Sequence, residues 1–179
     1  MVLSRSFAAG AALAPALALA LAASAASPAP AAAQELGLPL GTAAPSAAVE
    51  TLDGAPADLA KLVAGRPALI EFWATWCPNC KQLEPQISRL AAQYGGRLQL
   101  VTVAVSVNQT PERVKRYVAA RRIPGTVVFD RRGAATSAYD APATSYVVVL
   151  DRAGKVVYTG QGGEQDLAAA VRKAVPAGR

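Results

Sequence analysis

The sequence predicts an α/β fold with a central mixed sheet flanked by helices, and three observations predict it. Apolar, β-branched runs recur at residues 68–73, 98–105, 126–129 and 146–150. Segments of helical spacing separate them, and this alternation argues a mainly parallel sheet covered on both faces. The last of these strands is followed by the tight turn Asp151-Arg152-Ala153-Gly154 and a returning strand at 155–158, which adds an antiparallel edge.

The elements follow in order. Residues 48–52 form a short strand that ends at the Asp53-Gly54 turn signal. Residues 58–63 read as one helical turn with Leu59 and Leu62 inward, broken at Arg66-Pro67. Residues 68–73 are continuously apolar except for Glu71, the pattern of a buried strand. Pro78 fits a helix start, where its missing N–H costs nothing. That helix continues through Leu83, Ile87, Leu90 and Ala91 and stops at Gly95-Gly96, with a kink expected at Pro85. Thr110 followed by Pro111 reads as an N-cap and first helical position, and Val114, Tyr117 and Val118 give the helix its apolar face. A short helix at 134–139 and an amphipathic one at 165–175 complete the chain.

The front of the chain differs from the rest. Arg5 precedes an Ala/Leu run at 7–23 and a Ser/Pro/Ala stretch to Ala33, which describes a secretory signal peptide. Cleavage after Ala25 or Ala33 fits, and the second is adopted; an uncleaved membrane anchor is the alternative. The expected organisation is a signal peptide with its tail at 1–33, an approach segment at 34–46 and one folded domain at 47–179. The net charge is +6, but the basic pairs Arg121-Arg122 and Arg131-Arg132 fall at turns and helix ends without interleaved aromatics, so no nucleic-acid partner is expected. Histidine is absent, which excludes Cys-His and Ser-His nucleophiles and His-containing metal sites. Two cysteines alone cannot close a four-thiolate zinc site, and no cofactor is expected.

Those two cysteines carry the chemistry. Cys77 and Cys80 stand two residues apart, after a strand and at a helix start. The gap allows a small disulfide ring. The helix N-terminus offers N–H groups and the positive end of the dipole to Cys77, which favours its thiolate. Cys80, one turn further and more buried, is placed to resolve a mixed disulfide between Cys77 and a client. A static disulfide is the alternative, although so small a loop removes little entropy from the unfolded chain.

The run Phe72-Trp73-Ala74-Thr75-Trp76-Cys77-Pro78-Asn79-Cys80-Lys81 resembles the active-site segment of thioredoxin-fold proteins, and most of all the TlpA/ResA group of exported thiol–disulfide oxidoreductases. The resemblance extends over roughly 47–175. It includes the helix–strand insert after Val105 and the turn at 151–154. It implies a thioredoxin-like fold and a Cys77–Cys80 dithiol/disulfide couple. It also implies a buried acid six residues before the first cysteine, here Glu71, as proton acceptor for Cys80. An unpaired buried carboxylate is costly on any reading; the alternative is an acid at a strand edge facing solvent. Trp76, Pro78 and Asn79 are expected beside the sulfurs as client contacts, while Trp73 packs into the fold.

The family also carries a cis-proline loop facing the disulfide, and here the chain departs from the pattern. Alignment without gaps from Tyr139 to Gly154 puts Ser145 at that place, with Pro142 three residues early. Either a shift lets Pro142 serve or Thr144-Ser145 forms a non-proline loop. A cis bond before serine costs roughly 3 kcal/mol, and before proline well under half as much, so Pro142 is adopted. An acid that the group often has three residues after the second cysteine is also missing: Leu83 holds that place and Glu84 follows.

The function expected from these residues is an exported, periplasmic or extracytoplasmic reductase. It would act as a monomer on disulfide-containing client proteins and take electrons from a membrane donor, with cytochrome c maturation as the outlet the resemblance implies. A disulfide oxidase or isomerase of the same fold, and a binding module with an inert disulfide, are the alternatives. A thiol peroxidase would need Thr three residues before the reactive Cys, where Ala74 stands.

Overall fold

The computed structural model describes residues 37–175. The expected signal segment lies outside the described residues. The elements are β1 (Ala48–Thr51), β2 (Pro56–Asp58), α1 (Leu59–Leu62), β3 (Ala68–Trp73), α2 (Pro78–Tyr94), β4 (Gln99–Val105), α3 (Pro111–Arg121), β5 (Thr126–Asp130), α4 (Ala134–Ala138), β6 (Tyr146–Leu150), β7 (Val156–Gly160) and α5 (Leu167–Ala174). They build a seven-stranded sheet in the order β2-β1-β5-β4-β3-β6-β7.

Only β3, β4 and β5 run parallel. The β1–β2, β1–β5, β3–β6 and β6–β7 pairs are antiparallel. The expected central mixed sheet flanked by helices is therefore found, with a parallel centre and more antiparallel pairs than the expected closing hairpin alone. Alternation of strands and helices does not reveal that β6 enters beside β3 from the opposite direction. Strand β2 is an addition to the expected elements, because three residues with Pro56 among them carry little strand signal and suit only an edge.

Strand alternation divides the sheet residues between two faces. On one, Ala68, Ile70 and Phe72 pack with Leu59 and Val63 near α1 and with Ala135 and Tyr139 near α4. On the other, Leu69 packs with α2 through Leu83, Ile87 and Leu90 and with α5 through Leu167 and Val171. Each such buried leucine or isoleucine contributes roughly 1.5–3 kcal/mol. Trp73, further along the same face, joins the cluster of Cys77, Cys80 and Val114 of α3. Helix α2 continues through Pro85, which lies on its exposed side.

The caps agree with the residues that precede them. Asp58, Thr110 and Asp166 accept from the N–H groups of Lys61 (3.0 Å), Arg113 (3.3 Å) and Ala169 (2.9 Å). Gly125 is required by its close approach to backbone: it has φ +87°, and a Cβ there would lie 2.4 Å from the Leu100 carbonyl oxygen.

Candidate active site

Strand β3 delivers the chain to the site. After Trp73 it turns through Ala74, Thr75 and Trp76, and Cys77 becomes the N-cap of α2 with Pro78 at the first helical position. Cys77 and Cys80 form a disulfide with Cα atoms 5.4 Å apart. The Cys80 N–H donates to Cys77 Sγ at 3.1 Å. Both cysteines are buried, at 2% and 0% exposed. On reduction, the same N–H and the helix N-terminus favour negative charge on Cys77 Sγ.

Burial sorts the neighbouring residues. Trp73 is enclosed and meets the Tyr117 ring edge-on at 5.2 Å. Trp76, Pro78 and Asn79 are exposed. The Trp76 ring is held at its edge, because Nε1 donates to the Val107 carbonyl at 2.8 Å. With Val107 also exposed, the two form an apolar lip beside the cysteines. It borders a groove of about 700 Å³ that Phe72, Pro142 and Thr144 also line.

Glu71 occupies the middle of β3, opposite Thr102 of β4 and Val147 of β6. It is 2% exposed, and its Oε1 has no hydrogen-bond partner. The solvent-facing alternative is thereby excluded. It shares the sheet face of Leu69 and Trp73, so it lies beneath α2. Burial, and after it the charge of Glu84, push its carboxyl well above the ordinary value of 4.5. Such a group holds its proton more tightly than a solvated carboxylate and moves toward the range where it can exchange a proton with a thiol.

Glu84 stands in the sequence only as a displaced acid. The structure shows it 8% exposed, one turn beyond Cys80. It accepts from the Tyr117 hydroxyl at 2.7 Å and forms an ion pair with Arg121 at 2.8 Å. Helix α3 of the insert is thus tied to the cysteine-bearing helix. Burial and the bond to Glu84 push the Tyr117 phenol up to about 12. Gln109 is a second residue that carries no signal in the sequence. Its Oε1 accepts from Thr75 N–H at 2.9 Å and its Nε2 donates to the Val105 carbonyl at 2.6 Å, so it fixes the turn into the cysteine motif.

The expectation for Pro142 is corrected. No cis peptide bond occurs among the described residues. Pro142 is an exposed residue on the groove, and the residue adjoining β3 is Ser145, whose N–H donates to the Phe72 carbonyl at 2.7 Å. Ser145 is fully buried with φ 63°. Ser145 is the position that the ungapped alignment gives, and it adjoins β3 directly before β6. Among the described residues no three acidic or cysteine side chains gather as a metal-ligand group.

Known proteins resemble this chain along most of the folded span. Residues 39–174 match the Redoxin family. Thioredoxin-like protein YneN of Bacillus subtilis is 27% identical over 124 residues, which is 69% of this chain and 72% of that protein. A putative thiol:disulfide interchange protein DsbE from Chlorobium tepidum superposes with TM-score 0.62 and 27% identity, covering 75% of this chain and 99% of that one. A secreted Mycobacterium tuberculosis disulfide oxidoreductase homologous to E. coli DsbE superposes with TM-score 0.59 and 25% identity, covering 71% and 93% respectively.

Proposed function

The chain belongs to the Redoxin family and is a thiol–disulfide oxidoreductase of thioredoxin-like fold, and from that premise we propose that it is an exported reductase of client disulfides. The observation that carries the reading is the position of the Cys77–Cys80 couple at the start of α2, on the sheet face that also buries Glu71 without a partner for Oε1.

In the reductive half-reaction, the Cys77 thiolate attacks one sulfur of a client disulfide. A Cys77–client disulfide forms and the other client sulfur leaves as a thiolate. Glu71, in its ionised form, takes the proton of Cys80, and the Cys80 thiolate attacks Cys77 Sγ, which re-forms Cys77–Cys80 and releases the second client sulfur as a thiolate. Two electrons pass from the protein to the client. Trp76, Pro78 and Asn79 supply the exposed contacts at the couple, and Pro142, Thr144 and Ser145 belong to the loop along the client groove. A dithiol donor must then restore the reduced couple, and for an exported protein that donor sits in the membrane. Export is supported by the pattern of Arg5, the apolar run at 7–23 and the small residues to Ala33. Among the described residues no helix is long and apolar enough to cross a membrane.

The test is the midpoint of the Cys77–Cys80 couple in glutathione or dithiothreitol buffers, read by alkylating the free thiols. A reductase requires a midpoint near or below about −250 mV. A value near about −120 mV would reverse the electron flow and make the protein a disulfide donor. A pair that never equilibrates would leave an inert disulfide.

A further inference from the structure

Ser145 is held from several sides. A serine in the left-handed region persists only where its surroundings enforce that conformation. Its N–H donates to Phe72, its Oγ accepts from the Gly162 N–H at 3.1 Å, and its carbonyl accepts from Gln165 Nε2 at 2.9 Å. The same Nε2 donates to the Gly162 carbonyl at 2.7 Å, and Gln165 Oε1 accepts from the Tyr158 hydroxyl at 3.1 Å. Two carbonyl oxygens can only accept, so the amide of Gln165 must turn its NH₂ toward them. Gln165 is buried, and Gly160 leaves it room: a Cβ at 160 would lie 2.6 Å from Gln165 Oε1.

The network also reaches the cysteine-bearing helix. Gln86 of α2 donates from Nε2 to the Gln165 carbonyl at 2.8 Å and accepts at Oε1 from the Leu167 N–H at 3.1 Å. A continuous set of hydrogen bonds therefore runs from α2 through Gln86 and Gln165 to Ser145, and on to Phe72 of β3. Both ends belong to elements that carry the cysteine motif. On one side of this set, Thr144 and Trp76 line the groove of about 700 Å³. On the other, Gln165 and Asn79 line a polar cleft of about 450 Å³. A polypeptide segment that brings a disulfide to Cys77 through the groove beside Trp76 would meet Ala143 and Thr144, which line it, whereas a small disulfide need not reach them.

We propose that Gln165 is a positioning residue for exchange with polypeptide disulfides, clasping Ser145 so that the 143–145 loop keeps a fixed place relative to Cys77. The inference rests on the thiol–disulfide exchange activity and not on the direction of electron flow. Gln165 touches no reacting atom. It acts through the loop, and a misplaced binding edge weakens reaction with the segment that docks on it.

The experiment compares the full chain with its Gln165→Met and Gln86→Met variants, which cut the network at two points. For each, the reduced protein reacts in single turnover with a disulfide-bonded peptide and with dithiobis(nitrobenzoate). The Cys77–Cys80 midpoint is measured alongside. Loss of a buried amide's bonds should slow the peptide reaction by about tenfold in Gln165→Met and leave the small-disulfide rate within about twofold, with the midpoint unchanged. Gln86→Met should show the same selectivity. An unchanged peptide rate would overturn the proposal, and so would equal losses with both disulfides, including the complete loss that unfolding gives. Wild-type protein that exchanges with neither disulfide would remove the oxidoreductase reading and this proposal with it, and the wild-type reaction is measured first.

Discussion

Replacing Glu71 by Gln isolates the energy of ionising a carboxyl in the middle of the sheet. In the unfolded chain this carboxyl ionises near 4.5, whereas burial and the Glu84 charge hold it protonated in the folded protein to well above that value. As pH rises above 4.5, the unfolded chain binds fewer protons than the folded one, so stability falls. The loss is about 1.4 kcal/mol for each pH unit over which the folded carboxyl stays protonated. Below that window both states are protonated and Glu71 contributes nothing. Above the folded-state value both are ionised, and the full penalty remains as a constant. Glutamine cannot ionise, so Glu71→Gln lacks this slope. Burying a carboxamide adds an offset that does not vary with pH. The assay is urea unfolding of the disulfide form, followed by Trp73 and Trp76 fluorescence at several values from about pH 4.5 to about pH 7.5. The variant should gain on wild type as pH rises above 4.5, at a rate that approaches about 1.4 kcal/mol per pH unit once the unfolded carboxyl is ionised and that falls away where the folded carboxyl ionises. Parallel stability profiles for the two proteins would refute the reasoning, because they would mean that Glu71 ionises alike in folded and unfolded states.

Two further outcomes follow from the same geometry. Cys80→Ser should accumulate disulfide-linked adducts between Cys77 and clients, visible on non-reducing gels and released by dithiothreitol, whereas Cys77→Ser should form none, because the N-cap place at α2 and the Cys80 N–H favour the thiolate at Cys77; comparable adducts from both variants would contradict the division of roles. Gly125→Ala should lower stability by about 1–3 kcal/mol from its backbone conformation alone, with more from the contact with Leu100, and leave the couple's midpoint unchanged. Urea unfolding measures the first and alkylation the second.

Residues that act through local chemistry are legible in the chain. Continuous apolar runs give β3, β4 and β6. Pro78 and Pro111 after capping residues give the starts of α2 and α3. The pair Cys77/Cys80 is read from spacing and from its place between strand and helix. The isolated acid in an apolar strand singles out Glu71 from the residue order alone, because nothing local accounts for a charge there.

What the chain by itself could not give is every partnership between distant segments. The antiparallel entry of β6 beside β3 depends on where the chain returns, and residue alternation carries no record of direction. Glu84 looks like a surface acid at its place in the sequence, and only the docking of α3 supplies Arg121 and Tyr117 to hold it buried near Glu71. Gln109, Gln86 and Gln165 have no pattern of their own, since an amide takes its meaning from the donors and acceptors that tertiary packing sets around it. Ser145 marks the boundary: its position follows from alignment along the chain, but its left-handed turn is enforced by hydrogen bonds from β3, Gly162 and Gln165. Local sequence fixes what each residue can offer, and the tertiary fold decides which group receives it.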